Sequence, residues 1–210
     1  ICGSLSLQEM SPAQVLEPTY RRLKRALMEG TWPIGQKLEA MRLADEFGVS
    51  MTPVRDSLNQ LVGEGLVDLT PGEGYRVTLL TEHSLRDMLA VNVLLLESVA
   101  DPAPRKIDTA DLAAPIDTYA DRVGDVFSIF ALGSENRFLR QTVDLISDRL
   151  HIVRRLEPDV LPNALEALAE LEGSALATPS KRVQALRRYH DQCLANVSRL
   201  IAVLAEQGST

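Results

Sequence analysis

Residues 48–75 read GVSMTPVRDSLNQLVGEGLVDLTPGEGY. Gly48-Val49-Ser50 is a tight turn, and Thr52-Pro53 is a helix-start signal, with a hydroxyl N-cap and proline at the first helical position. Val54, Leu58, Leu61 and Val62 then recur at helical spacing, so one face is apolar. Arg55 and Asn59 lie on the other face, one turn apart and able to reach outward together. Gly63 and Gly65 end the helix. Leu66–Leu69 reads as a strand, Thr70–Gly74 as a turn, and Tyr75–Thr78 as the return strand. A turn-entered helix followed by a small hairpin is the plan of a winged helix-turn-helix, an arrangement that binds nucleic acid.

Composition constrains that reading. The 210 residues suffice for one large domain or two small ones, and the formal net charge is -7. A non-specific polyanion binder is expected to be basic. Residues 1–79 hold eight Lys/Arg against ten Asp/Glu, so DNA binding has to rest on a local cluster of cations and a specific site. Cys2 and Cys193 are too few and too distant for a disulfide scaffold or zinc cluster, which favours a reducing cytoplasm. No apolar run is long enough to span a bilayer, and no signal peptide is readable.

Upstream, residues 1–14 are expected to form a flexible arm. A first helix is expected after Pro18, with Tyr20, Leu23 and Leu27 inward and the cations Arg21, Arg22, Lys24 and Arg25 mostly outward. That dense positive patch is either a solvated helix face or a DNA-facing one. Residues 30–35 form a turn, and Glu39 to Phe47 a second helix with Leu43 and Phe47 buried.

The pattern Gly30-x-x-Pro33-x-Gly35-x-x-Leu38, then Leu43-Ala44-x-x-Phe47-Gly48-Val49-Ser50-x-Thr52-Pro53-Val54-Arg55-x-x-Leu58-x-x-Leu61, then Glu64-Gly65-Leu66-Val67 and Gly72-x-Gly74-Tyr75-x-Val77 resembles the N-terminal domain of GntR-family transcriptional regulators. The resemblance covers residues 18–79. It implies a homodimer that sets two recognition helices in successive major grooves of a palindromic double-stranded operator, with wing tips at the minor groove. Carried over position by position, Ser50, Thr52 and Arg55 meet phosphates and base edges, and Gly72 and Gly74 let the wing backbone approach DNA. Two positions depart from the family pattern. Met51 stands at a contact position that is usually basic, and Glu73 where the wing often carries arginine. Arg42, one helix earlier, is a candidate to compensate.

Residues 80–210 read as five or six amphipathic helices with no strand pattern, an all-α effector and dimerisation domain. Leu85, Met88, Leu89, Leu95, Leu96 and Val99 mark one helix, which breaks at Asp101-Pro102-Ala103-Pro104. Tyr119, Val123, Val126, Phe127 and Phe130 mark the next. Leu139, Val143, Ile146, Leu150 and Val153 mark a third, and Pro158 and Pro162 bound a loop. An Ala/Leu-rich helix runs to about Ala177. A single last helix follows Thr178-Pro179, with Val183, Leu186, His190, Cys193, Val197, Ile201 and Leu204 on one face. Position, helical content and Ser134-Glu135-Asn136 resemble the FCD effector domain of the FadR-like GntR branch. That resemblance implies dimerisation and binding of a small organic acid, often through a metal held by an Asp-x-x-x-His pair and two later histidines.

The donor set for that metal is missing. The family's first carboxylate and histidine fall near Val123 and Phe127, on the apolar stripe, and the next histidine near Leu168 or Ala169. Asp121 and Asp125 have suitable mutual spacing but read as solvent-facing, and His83 and His151 as surface or boundary residues. His190 alone points inward, and one histidine is not a divalent site. No metal or other cofactor is expected. Asn92 interrupts the apolar stripe about where the family places an arginine for the effector's carboxylate, and a buried polar group needs a partner. Asn92 and His190 are therefore the candidate effector-binding residues, for an apolar or neutral ligand if any. No G-x-S-x-G, phosphate loop or HExxH is present, so the chain does not read as an enzyme. The competing reading is a winged-helix protein-interaction module that has given up operator binding, favoured by the acidic balance, Met51 and Glu73.

Overall fold

A computed structural model describes residues 12–100, 118–175 and 177–207. The chain is mainly helical and divides between Leu79 and Leu80 into two compact units.

The first unit opens with α1 (Pro12–Met28), followed by β1 (Lys37–Leu38), α2 (Ala40–Phe47), α3 (Met51–Gly63), β2 (Val67–Thr70) and β3 (Gly74–Val77). Leu23 and Leu27 of α1, Leu43 of α2, and Val54, Leu58 and Leu61 of α3 close around one core with Leu38, Val67 and Val77 of the sheet. Burial at helical spacing on three helices supplies the driving force, about 1.5–3 kcal/mol for each fully buried Leu or Val side chain. α3 ends as expected at Gly63, and a positive-φ Gly65 redirects the chain into β2.

Four sequence expectations need correction here. α1 starts at Pro12 and runs through Pro18. It forgoes the hydrogen bond that Pro18 cannot donate and gains partial burial of Val15 and Leu16. Residues 12–14 are thus helical, and 1–11 lie outside the described residues. The N-cap of α3 is Ser50, with Thr52 and Pro53 already inside the first turn. A proline N–H is dispensable there, because first-turn donors have no intrahelical partner. Phe47 is half-buried, its ring covered by the Arg22 guanidinium 4.0 Å from the centroid. The wing is also more than a hairpin. Lys37–Leu38 pairs antiparallel with β3, giving a three-stranded sheet of order β1-β3-β2.

The second unit holds α4 (Glu82–Ala100), α5 (Tyr119–Leu132), α6 (Arg137–Arg154), α7 (Glu157–Val160), α8 (Ala164–Ser174), α9 (Pro179–Ala195) and α10 (Val197–Gln207). Thr118 caps α5 by accepting from the Asp121 amide, and Asn136 caps α6 by accepting from Phe138 and Leu139. α5 packs on α6, and α9 lies against α4 and α8. The expected break at 101–104 falls outside the described residues. The loop bounded by Pro158 and Pro162 contains the short α7, and the single last helix is two, interrupted at Asn196 (φ -113°, ψ 12°). Leu95, Leu139, Val183 and Ile201 are half-buried rather than core. Among the described residues no helix is long and apolar enough to cross a membrane.

Candidate nucleic-acid interface

α3 buries Val54, Ser57, Leu58 and Leu61, which turns Met51, Thr52, Arg55, Asp56 and Asn59 outward. Ser57 satisfies its hydroxyl on the Pro53 carbonyl at 2.7 Å, so a polar residue sits on the inner face at little cost. At the start of the helix the Ser50 side chain makes no capping bond. The exposed Ser50 and Thr52 lie in the first turn, at the positive end of the helix dipole, an arrangement suited to a phosphate. One turn on, the exposed Arg55 carries the forked donors that match guanine O6 and N7. Arg42 is exposed on α2.

The wing tip is an exposed turn, Pro71–Glu73, closed by the Glu73 amide donating to the Thr70 carbonyl at 3.0 Å. Gly72 and Gly74 have φ of 82° and 88°, a region that L side chains resist, and a Cβ on either would meet open space. The backbone here is bare on its outer side and open to close approach. Arg76 is the only cation of the β2–β3 hairpin. Its Nε lies 3.7 Å from Glu73 Oε2, and its Nη1 donates to the Gly35 carbonyl at 3.3 Å. Glu73 thus offsets the charge that the wing would otherwise present.

The basic run on α1 is neutralised within its own unit. Arg21 pairs with Glu17 at 2.7 Å, Arg25 with Glu29, and Lys24 with Glu64 at 2.9 Å. Arg22 covers Phe47. One contact absent from the sequence reading ties the wing to the helix: Tyr75 donates its hydroxyl to Asn59 Oδ1 at 2.8 Å.

In the second unit the two candidate effector residues meet. Asn92 and His190 are fully buried, with Asn92 Nδ2 3.1 Å from His190 Nε2. His190 Nδ1 is 2.8 Å from the Leu186 carbonyl, so Nδ1 carries the proton and Nε2 accepts from Asn92. Burial pushes the His190 pKa down to about 4, leaving the ring neutral. Phe127 stacks on the imidazole and Tyr189 meets it edge-on.

Around this pair lies a polar cluster that periodicity did not reveal. The buried Glu157 carboxylate accepts from Tyr119 at 2.9 Å and from Tyr189 at 2.8–2.9 Å, with Cys193 Sγ at 3.6 Å. Burial pushes the Glu157 pKa up, and the Arg154 charge pulls it the other way. The Arg154 guanidinium sits 4.9 Å from the Phe127 centroid and bonds Ser147 through Nη1. Asn92 Oδ1 and Arg154 Nε and Nη2 are buried without hydrogen-bond partners.

Asp121 is half-buried with Oδ1 4.0 Å from His151 Nδ1, and His151 is buried; both corrections follow from α5 packing on α6. His83 and Asp125 are exposed. Val123, Phe127 and Leu168 are core residues, and among the described residues no group of three or more His, Cys, Asp or Glu is placed to hold a metal.

Comparison with known proteins agrees with the geometry of the first unit. Residues 17–77 match the family model of bacterial regulatory proteins of the gntR family. The helix-turn-helix transcriptional regulator YdhC of Bacillus subtilis is 26% identical over 65% of this chain and 68% of that protein. The transcriptional repressor GlaR of Escherichia coli is 35% identical, but over 33% of this chain and 31% of its own length. The crystal structure of a GntR transcriptional regulator from Rhodococcus sp. RHA1 shares the fold, with a TM-score of 0.70 at 18% identity, covering 89% of this chain and 98% of that one. These relatives are transcriptional regulators and none is an enzyme. Residues 17–77, the body of the first unit, are a helix-turn-helix domain of the gntR family of bacterial regulatory proteins.

Proposed function

We propose that the chain is a cytoplasmic repressor that binds a palindromic operator as a homodimer, with residues 15–79 reading DNA and residues 80–210 dimerising and sensing a small molecule. The observation that carries operator reading is the outward strip of α3. A phosphate-seeking helix start, Thr52 and Arg55 share one exposed face, and packing alone requires no arginine there. Ser50, Thr52 and Arg55 are the main contacts. Gly72 and Gly74 bring the wing backbone to the minor groove, Met51 adds an apolar contact, and Arg42 adds charge. Repression is drawn from the similarity to GlaR. Dimerisation follows from charge: a first unit with more acidic than basic residues binds weakly alone, while two at fixed spacing gain effective concentration.

The sensing half differs from a metal-dependent one. His190 Nε2, the nitrogen a metal would take, faces Asn92, and among the described residues no group of three or more His, Cys, Asp or Glu is placed to hold a metal with it. We assign no metal or other cofactor. The unpartnered Asn92 Oδ1 and Arg154 nitrogens are the groups that would recognise an effector through its own donors and acceptors. A second reading, a protein-interaction module, has one observation in its favour, the capture of Arg76 by Glu73 at the wing. Light scattering at micromolar concentration, combined with anisotropy on DNA flanking the chain's own gene, tests the proposal. A dimer with tight, salt-sensitive binding supports it. A monomer, or binding no tighter than to random duplex, contradicts it.

A further inference from the structure

The hydrogen bond between the wing and the recognition helix bears on which base is read. Asn59 lies one turn beyond Arg55 on the same exposed face of α3. A free asparagine carboxamide reads adenine, because its oxygen accepts from N6 while its amino group donates to N7. Here the oxygen is turned to the wing with one of its two lone pairs engaged, since the Tyr75 hydroxyl donates to Asn59 Oδ1 at 2.8 Å. Tyr75 is fixed in turn by β3, where it pairs with Leu38 of β1 on one side and Leu69 of β2 on the other. Its ring is half-buried against the core of the first unit. A tyrosine clamped between two strands is a rigid donor, and it holds the carboxamide with its oxygen toward the wing and its amino group away from it.

We infer that Tyr75 sets the specificity of the recognition helix by committing Asn59 Oδ1, so that Asn59 presents an amino group alone to the major groove. The base it faces then offers acceptors, guanine through O6 and N7 or thymine through O4, and adenine loses its bidentate partner. Arg55 and Asn59 together favour acceptor edges one helical turn apart. This inference rests on the operator-binding reading above and goes beyond it in assigning a role to a residue on the wing.

The test uses the full chain and a randomised duplex library. Sites selected by the unmodified protein are re-measured by anisotropy with every single-base change in one half-site, for the unmodified protein, Tyr75→Phe, Asn59→Ala and Asn59→Asp. Tyr75→Phe keeps the packed ring and releases the carboxamide, so adenine at one position should improve relative to the selected base by about fivefold or more. Asn59→Ala should flatten preference at that same position and leave the others intact. Asn59→Asp, an acceptor in place of a donor, should shift that position toward cytosine, whose N4 donates. Selective binding with unchanged preferences in all three variants overturns the inference. So does uniform weakening across all sequences by Asn59→Ala, the mark of a backbone contact. Failure of the unmodified protein to select any site defeats the operator-binding reading and the inference together.

Discussion

The two units handle their polar side chains in opposite ways. In the first, the residues proposed to meet DNA stand on the outside of α3 and the wing, supported by a core of leucines and valines. In the second, the most unusual polar residues are inside: Asn92, Arg154, Glu157 and His190 are each at most 2% exposed. An outward polar residue costs little to fold around and is free to bind something. An inward one has to be satisfied by its neighbours or by a ligand, since a buried unpaired group costs roughly 1–3 kcal/mol. The DNA-reading unit can therefore vary its contacts without touching its stability, whereas the helical unit cannot alter its interior so freely.

Substitutions should separate these two regimes. The largest effect is expected from Glu157→Leu, which leaves the Tyr119 and Tyr189 hydroxyls unpaired and the Arg154 charge without its nearby carboxylate. Chemical denaturation should show a loss of roughly 3–5 kcal/mol, and a loss under 1 kcal/mol would mean that the cluster is not a structural network.

Next comes a dependence on pH. His190 has its pKa lowered by burial to about 4 in the folded chain, below the 6.5 of a free imidazole. The unfolded chain therefore binds more protons between these values, and the stability that neutral His190 contributes is present above 6.5 and lost as pH falls toward 4. The full effect is about 3 kcal/mol. Glu157 works in the opposite direction, because its raised pKa makes its own contribution fall as pH rises above 4.5. The difference between the unmodified chain and His190→Gln isolates the histidine. The variant should lose less stability than the parent between pH 6.5 and 4, as read by thermal unfolding, and parallel profiles would contradict the assignment.

The smallest effect belongs to the wing. Glu73→Gln frees Arg76 from an exposed ion pair, of a kind that contributes roughly 0–1 kcal/mol. Operator affinity should rise by about two- to fivefold at low salt, with a steeper salt dependence and an unchanged melting temperature. Unaltered binding would place the wing tip away from phosphates.

The same contrast explains what the sequence disclosed. Outward positions on α3 were legible because Val54, Leu58 and Leu61 fix the phase of the helix and thereby point Arg55 and Asn59 to solvent. Inward polar residues were legible only where they broke an apolar stripe, as Asn92 and His190 do. Glu157 beside Pro158 reads as loop, and Arg154 beside Arg155 reads as a charged helix end; their burial comes from tertiary packing, which periodicity does not carry. His151 was misplaced for the same reason. Strand β1 escaped notice because two residues have no period, and its pairing with β3 spans the whole of α2 and α3. Nothing local marks the Tyr75–Asn59 contact, which joins positions 16 residues apart.

The most direct test of the central claim is anisotropy with DNA flanking the chain's own gene, comparing the unmodified protein with Arg55→Ala at two salt concentrations. Loss of one bidentate base contact should weaken binding by roughly 5- to 150-fold per half-site, while the melting temperature stays the same because Arg55 is exposed. Equal binding by both proteins would contradict the account and leave a winged helix that keeps its fold without reading the groove.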